Sequence, residues 1–324
     1  MKTPVFWYEK PGIVAQFLWP LSWIYGAITA WRMRCKGTRM DIPVICVGNF
    51  TAGGAGKTPV VLMLAETLTT NGERPFVISR GYGGKLRGPV LVEPLQHAAH
   101  ECGDEPLLLA AHVPTVVARD RVAGAAFARK QGATVLLLDD GLQNPTLTKD
   151  FTIAVVDGDV GIGNGFCIPA GPLRAPLADQ ILYIDCIVMV GRGAGLLSLG
   201  AIDKSVVFSH LQPDADAVTN LRGLQLMAFA GIGRPEKFFE TLRQCGLAVE
   251  KTQSFADHHP YSDMDIQALK QTAALHGLTL VTTEKDLTRL PSNSGDIKCL
   301  PVRLALADQR LLQNIDAAIR GKRR

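Results

Sequence analysis

The sequence predicts an α/β protein: a doubly wound, mostly parallel sheet, joined to a second, smaller α/β domain and preceded by an N-terminal membrane-associated helix. Three observations predict it. From Ile42 onward, short apolar runs ending in glycine-rich or acidic turns alternate with helix-like stretches, the signature of parallel βαβ units. A second series of the same kind starts at Leu224. All four tryptophans (Trp7, Trp19, Trp23 and Trp31) lie in the opening segment of the chain.

In that segment no charge interrupts Pro11 to Trp31, and Arg32, Arg34, Lys36 and Arg39 follow at once. Tryptophan and tyrosine seek the headgroup boundary and basic flanks pair with anionic lipid, so the pattern reads as a helix at the cytoplasmic leaflet. Gln16, Pro20, Ser22 and Gly26 weaken a full span, whereas Phe17, Leu21, Ile24, Ile28 and Trp31 share one helical stripe, which favours lying on the bilayer. The alternative is a helix packed on the protein's own core.

Next come expected strands at Pro43–Val47, Pro75–Ile78, Pro114–Val117, Thr134–Leu138 and Phe151–Val156, with helices at Pro59–Thr70, Glu105–Ala111 and Arg121–Gln131 between them. Ile187–Val190 and Ser205–Ser209 extend the sheet, and the Asp- and Pro-containing stretch Leu211–Asn220 reads as a linker. Beyond it, Leu224–Ala230 begins a smaller series that turns through Gly231–Arg234 into a helix near Pro235. Ser262 and Asp265 form a capping box for a helix to about Ala274, Leu278–Val281 adds a strand, and a last helix near Ala307–Ile319 is expected to fold back onto the first domain. The expected organisation is residues 1–40 as the membrane helix, 41–218 as the nucleotide-binding and catalytic domain, and 219–324 as the smaller domain.

Composition narrows the partners. Hydrophobic residues are 47% and charged residues 20%, which excludes a disordered chain. The net charge of +4 is matched by Arg320, Lys322, Arg323 and Arg324, leaving a neutral remainder and no expectation of nucleic acid. Cysteines 35, 46, 102, 167, 186, 245 and 299 contain no C-x-x-C pair, which points to a reducing compartment and away from zinc. No obligate protein partner is implied.

The chemistry starts at Val47-Gly48-Asn49-Phe50-Thr51-Ala52-Gly53-Gly54-Ala55-Gly56-Lys57-Thr58-Pro59, between an expected strand and an expected helix. This is the position and composition of a P-loop, although Thr51 stands where the formal pattern has glycine. Backbone amides of Thr51 and Gly53 to Gly56 would converge on phosphate oxygens, Lys57 would reach the β and γ phosphates of ATP, and Thr58 would ligate Mg²⁺. Downstream, Val135–Leu138 delivers Asp139 and Asp140 at a strand's carboxyl end, where one of them is expected on the metal. Two clusters offer acceptor activation: Asp104 in Cys102–Pro106, and His258 in Phe255–Pro260. If the domains bring them together, carboxylate and imidazole form an acid–base pair. Other substrate-binding candidates are Asn49, Arg80, Tyr82, Arg119, Arg121 and Arg174, since arginines at strand ends suit phosphate groups.

Together, Gly48-Asn49 through Thr58-Pro59, Ser79–Gly84, Gly103–Pro106, Asp139–Gln143, Ala170–Arg174, Asp257-His258 and Thr283-Glu284-Lys285-Asp286 resemble the tetraacyldisaccharide 4'-kinase (lipid A 4'-kinase) family over nearly the whole chain. The resemblance implies transfer from ATP, with Mg²⁺, to the 4'-hydroxyl of a lipid A disaccharide 1-phosphate precursor, giving lipid IVA. It also implies Lys57 and Thr58 at ATP and metal, Asp139 and Asp140 on the magnesium side, Asp104 and His258 at the acceptor hydroxyl, and two domains with a hinge. Leu142 and Asn144 depart from the aromatic residue and histidine common in the family, and Ala175 departs from its glutamate. Two readings stay open beside this one: a membrane-bound P-loop ATPase switch, which would carry a lysine at Ala52, and a soluble small-molecule kinase.

Overall fold

The computed structural model describes residues 4–200, 202–291 and 293–323. Helix α1 (Ile13–Met33) leads into a first sheet threaded as β1 (Val44–Gly48), α2 (Lys57–Thr70), β2 (Pro75–Ser79), β3 (Val90–Leu91), α3 (Ala99–Cys102), α4 (Asp104–Ala110), β4 (Thr115–Val117), α5 (Arg121–Lys130), β5 (Val135–Asp139), β6 (Phe151–Asp157), α6 (Leu177–Ile181), β7 (Cys186–Val190) and β8 (Ser205–Pro213). Through α7 (Ala215–Leu221) the chain enters a second sheet: β9 (Gln225–Ala230), α8 (Pro235–Gln244), β10 (Ala248–Ser254), α9 (Asp263–His276), β11 (Thr279–Thr282), α10 (Glu284–Leu287) and β12 (Lys298–Cys299). It then returns as β13 (Val302–Leu306) and α11 (Arg310–Arg323).

The first sheet has nine strands in the order β13-β8-β7-β6-β1-β5-β2-β4-β3. Its interior pairings are parallel, and only the edges β13 and β3 run antiparallel. Strands β1, β5 and β6 are buried along their whole length, which is why they read as continuous apolar runs rather than alternating ones. One face is covered by α2 and α11, whose Leu64, Leu311, Ile315 and Ile319 share a core with Ile45 and Leu137. The other face is covered by α5, through Ala125 and Ala128 against Ile78 and Leu136. The second sheet, β10-β9-β11-β12, is parallel and is sandwiched by α8 and α9.

Two local readings differ from the structure. The expected linker at 211–220 is instead the end of β8 followed by α7, because Asp214 caps that helix by accepting from Ala217 N at 2.9 Å. Strands β10 and β13 were not expected: β10 is a polar, largely exposed edge, and β13 is a short edge strand that pairs antiparallel with β8 and buries Leu304 in the first core.

Helix α1 docks by its small residues. Ala15, Ser22, Gly26, Ala30 and Met33 are buried, Ser22 Oγ donates to Cys167 O at 2.7 Å, and a Cβ on Gly26 would stand 3.1 Å from Cys167 Sγ. Its large apolar residues point the other way. Phe17 is 83% exposed, Trp23 65% and Trp31 68%, the reverse of a helix that buries its greasy face in a core. The helix is also long and apolar enough to cross a bilayer, with a mean hydropathy of 1.3.

Candidate active site

Chain direction across the first sheet reverses at β1, which has β5 on one side and β6 on the other. Ligands bind open α/β sheets at such a point, beyond the carboxyl ends of the strands. The glycine-rich loop occupies it. Asn49 is fully buried and organises the loop from within: its amide donates to Thr51 O at 2.7 Å, and its Oδ1 accepts from Lys57 Nζ at 3.3 Å. Gly56 sits at φ 80° as the residue before α2, a left-handed position suited to glycine, and no side chain caps the helix there. The first amides of α2 therefore face the loop with the helix dipole behind them. From outside, the 171–174 turn clamps the loop: Ala52 N donates to Pro172 O at 2.7 Å and Arg174 Nε to Thr51 O at 3.0 Å. Gly53 and Gly54 stay exposed, and Ala55 is buried. Thr58 follows Lys57 in the first turn of α2.

Two aspartates end β5 in different states. Asp140 adopts φ 55°, a conformation that aspartate tolerates better than most residues, and both its oxygens lie within 2.8 Å of Arg174 Nη1. Lys57 Nζ is 3.6 Å from the same carboxylate. Burial alone would raise its pKa, but Lys57 and Arg174 outweigh burial and hold it well below the usual carboxylate range. Asp139 is 3% exposed, accepts from Ser79 Oγ at 3.2 Å, and has a second oxygen, Oδ1, with no partner. Burial, with Glu105 adding to it, pushes its pKa up to about 7. Behind both, the buried Arg121 donates to Asp140 O at 2.7 Å and Asp139 O at 3.2 Å, while its Nη1 is unpartnered. Arg121 thus faces the strand end rather than the solvent.

The second sheet contributes the histidine. His258 Nδ1 lies 2.8 Å from Asp104 Oδ2, a contact spanning 154 residues of sequence. Local structure places both partners. Gly103, at φ 94°, turns the chain into α4 at a point where a Cβ would meet Tyr82 O at 2.6 Å, which sets the 7%-exposed Asp104 at the helix start. His258 adopts φ 57° and is tied back by its N–H to Gly231 O at 3.0 Å. Lys285 and Arg289 complete the cluster, each 3.8 Å from Asp104 Oδ2, and Lys285 Nζ also lies 3.5 Å from His258 Nε2. Burial would raise the Asp104 pKa, but the His258 hydrogen bond and the Lys285 and Arg289 charges together bring it down to about 2. Sequence reasoning noted the Thr283–Asp286 block without giving it a role. Its geometry supplies one: Thr283 caps α10, the fully buried Asp286 takes Gly231 N, Tyr261 and Arg289, and Lys285 and Arg289 are thereby aimed at Asp104.

Of the remaining candidates, Tyr82 is 78% exposed with its ring 6.5 Å from that of His258. Arg80 and Arg119 are exposed at the ends of β2 and β4. The three departures from the family pattern serve packing or turns. Leu142 and Ala175 are buried in the core, and Asn144 Oδ1 holds its own turn by accepting from Thr146 N at 2.9 Å. Gln143 is the informative residue of that segment. It donates to Asn49 O at 2.8 Å and to Gln180 Oε1 at 2.7 Å, and so joins the carboxylate turn to the loop.

A loop with a lysine at its helix start, on the same sheet as a carboxylate that an imidazole from the second sheet meets, suits phosphoryl transfer to an acceptor. A nucleotide switch has no use for the second half, and the class defined is a P-loop kinase. The family described as LpxK, Tetraacyldisaccharide-1-P 4'-kinase, matches residues 14–320, and the chain belongs to it. Its activity is that of a tetraacyldisaccharide 4'-kinase in lipid A biosynthesis. A Tetraacyldisaccharide 4'-kinase of Rhodopseudomonas palustris (strain BisB18) is 51% identical over 297 residues, covering 90% of this chain and 87% of that relative. One from Methylobacterium sp. (strain 4-46) is 50% identical over 330 residues, covering 99% of each. Among solved structures, LpxK from Aquifex aeolicus in complex with ATP superposes with a TM-score of 0.77 at 28% identity, over 95% of this chain and 100% of that one.

Proposed function

We propose that the site moves the γ-phosphoryl group of ATP to the 4'-hydroxyl of the tetraacylated disaccharide 1-phosphate, with the Asp104–His258 pair receiving the hydroxyl proton. The 2.8 Å contact between these residues from separate sheets carries the reading. Because Nδ1 faces a carboxylate held ionised, the neutral imidazole keeps its proton on Nδ1 and presents Nε2 as the base. Charge developing on the transferred group falls against Lys57 and the amides of residues 53–58, which are aligned beforehand by Asn49 and Gly56.

The donor set at β5 suits a hard cation. Asp139 Oδ1 is a buried carboxylate oxygen without a partner, and Thr58 offers a hydroxyl one residue after Lys57. Asp139 and Thr58 would hold Mg²⁺, which when bound neutralises β- and γ-phosphate oxygens. Asp140, expected on the metal side, has both oxygens engaged by Arg174 and acts by fixing Arg174 and Lys57.

The outward apolar residues of α1 and its basic continuation seat the enzyme on the cytoplasmic leaflet, where the lipid precursor's acyl chains stay embedded while its sugars reach the cleft. Arg80, Tyr82 and Arg119 border that approach and are positioned to meet the acceptor's polar groups. In detergent micelles with γ-labelled ATP and the lipid disaccharide, label passes to lipid, and Lys57→Ala lowers the rate on the order of 10²-fold or more. Unimpaired transfer by Lys57→Ala would refute the assignment.

A further inference from the structure

Two charged clusters tie the second sheet to the first, and the Asp104–His258 cluster is only one of them. On the other flank of the glycine-rich loop, Arg234 and Lys237 at the start of α8 meet Asp157 and Asp159 at the carboxyl end of β6. Arg234 pairs with Asp157 and Lys237 with Asp159, and the crossed contacts are 3.8 Å for Arg234–Asp159 and 3.9 Å for Lys237–Asp157. Asp157 is anchored in its own strand end, where its Oδ1 accepts from Asp159 N at 3.0 Å.

The same short turn serves both clusters. Gly231 O accepts from His258 N at 3.0 Å and from Arg289 Nη2 at 2.9 Å, and Gly231 N donates to Asp286 at 2.9 Å. Arg234 closes the turn that Gly231 opens. His258 holds a left-handed backbone at φ 57°, a conformation that persists only where its surroundings over-determine it. The 231–234 turn is the element best placed to do so.

We propose that Arg234 and Lys237 are positioning residues: by pairing with Asp157 and Asp159 they pin the 231–234 turn, and through Gly231 they set His258 against Asp104. The inference rests on the dyad reading above. The second sheet straddles the loop, with one foot on α4 beyond β2 and the other on β6, the strand next to β1. Four charges in one network resist displacement better than an isolated surface pair, yet remain open to screening by salt.

The test is a mutant cycle on kcat in the full chain. Asp159→Lys lowers kcat about tenfold and changes KM for ATP less than about twofold, because Lys57 and its loop are untouched. The exchange Asp159→Lys with Lys237→Asp returns kcat to within about threefold of the parent. In a His258→Ala background, Asp159→Lys removes nothing further, since its effect passes through that imidazole. Normal turnover by Asp159→Lys, an equal loss in both backgrounds, or an exchange variant that melts normally yet stays impaired overturns the proposal while leaving the dyad standing. If His258→Ala alone turns over at the parental rate, the dyad reading and the brace fall together.

Discussion

Asp139 is the least satisfied residue of the site: a buried carboxylate with one oxygen on Ser79 and the other on nothing. Its folded pKa of about 7 exceeds the 3.8 of an ordinary aspartate, so the folded chain keeps a proton that the unfolded chain releases. Stability from this group is complete below 3.8 and is lost as pH rises through about 7. Melting of the ligand-free enzyme followed across that window should fall for the parent and stay flatter for Asp139→Asn, and parallel curves would contradict the burial argument. Its unpartnered oxygen is the reason Asp139 is proposed above as a cation ligand. Sequence could locate Asp139 and Asp140 together but could not tell them apart. What separates them is Arg174, which reaches Asp140 across 34 positions of sequence. Equally illegible were the backbone carbonyls that Asn49 and Arg121 hold, at Thr51 and Asp140.

At the scale of elements, the strands that build the site were legible because burial on both faces leaves unbroken apolar runs, as in β1, β5 and β6. Glycine and lysine at the end of β1 then fixed the loop. Elements whose order comes from partners were not legible: β10 and β13 are edges, and α7 depends on the cap from Asp214. Helix α1 shows both cases. Its exposed stripe was readable, but which residues it buries was not, since the docking face is made of Ala15, Ser22, Gly26 and Ala30. The two faces should therefore separate by mutation. Trp23→Ser, on the outer side, should reduce retention on anionic lipid vesicles several-fold without moving the melting temperature. Unchanged retention would return α1 to a purely structural role.

The whole molecule is a first sheet interrupted by a second. The chain leaves after β8, builds the unit that carries His258, and returns so that β13 pairs with β8 and α11 joins α2 over the same face of the sheet. A consequence is that the end of the chain supports the nucleotide loop. Ile315 is 1% exposed in the same core as Val47 and Leu64, so Ile315→Ala should cost about 2–5 kcal/mol in denaturant unfolding of the first sheet. A loss under about 0.5 kcal/mol would mean that α11 is an appendage. This arrangement also brings residues 104 and 258 face to face across two sheets, and on that meeting the account of catalysis depends. The most direct test is label transfer to lipid by Asp104→Asn, His258→Ala and the variant carrying both. If the pair works as one unit, the double variant is no slower than the slower single one. Losses that multiply would show two independent residues and contradict the account.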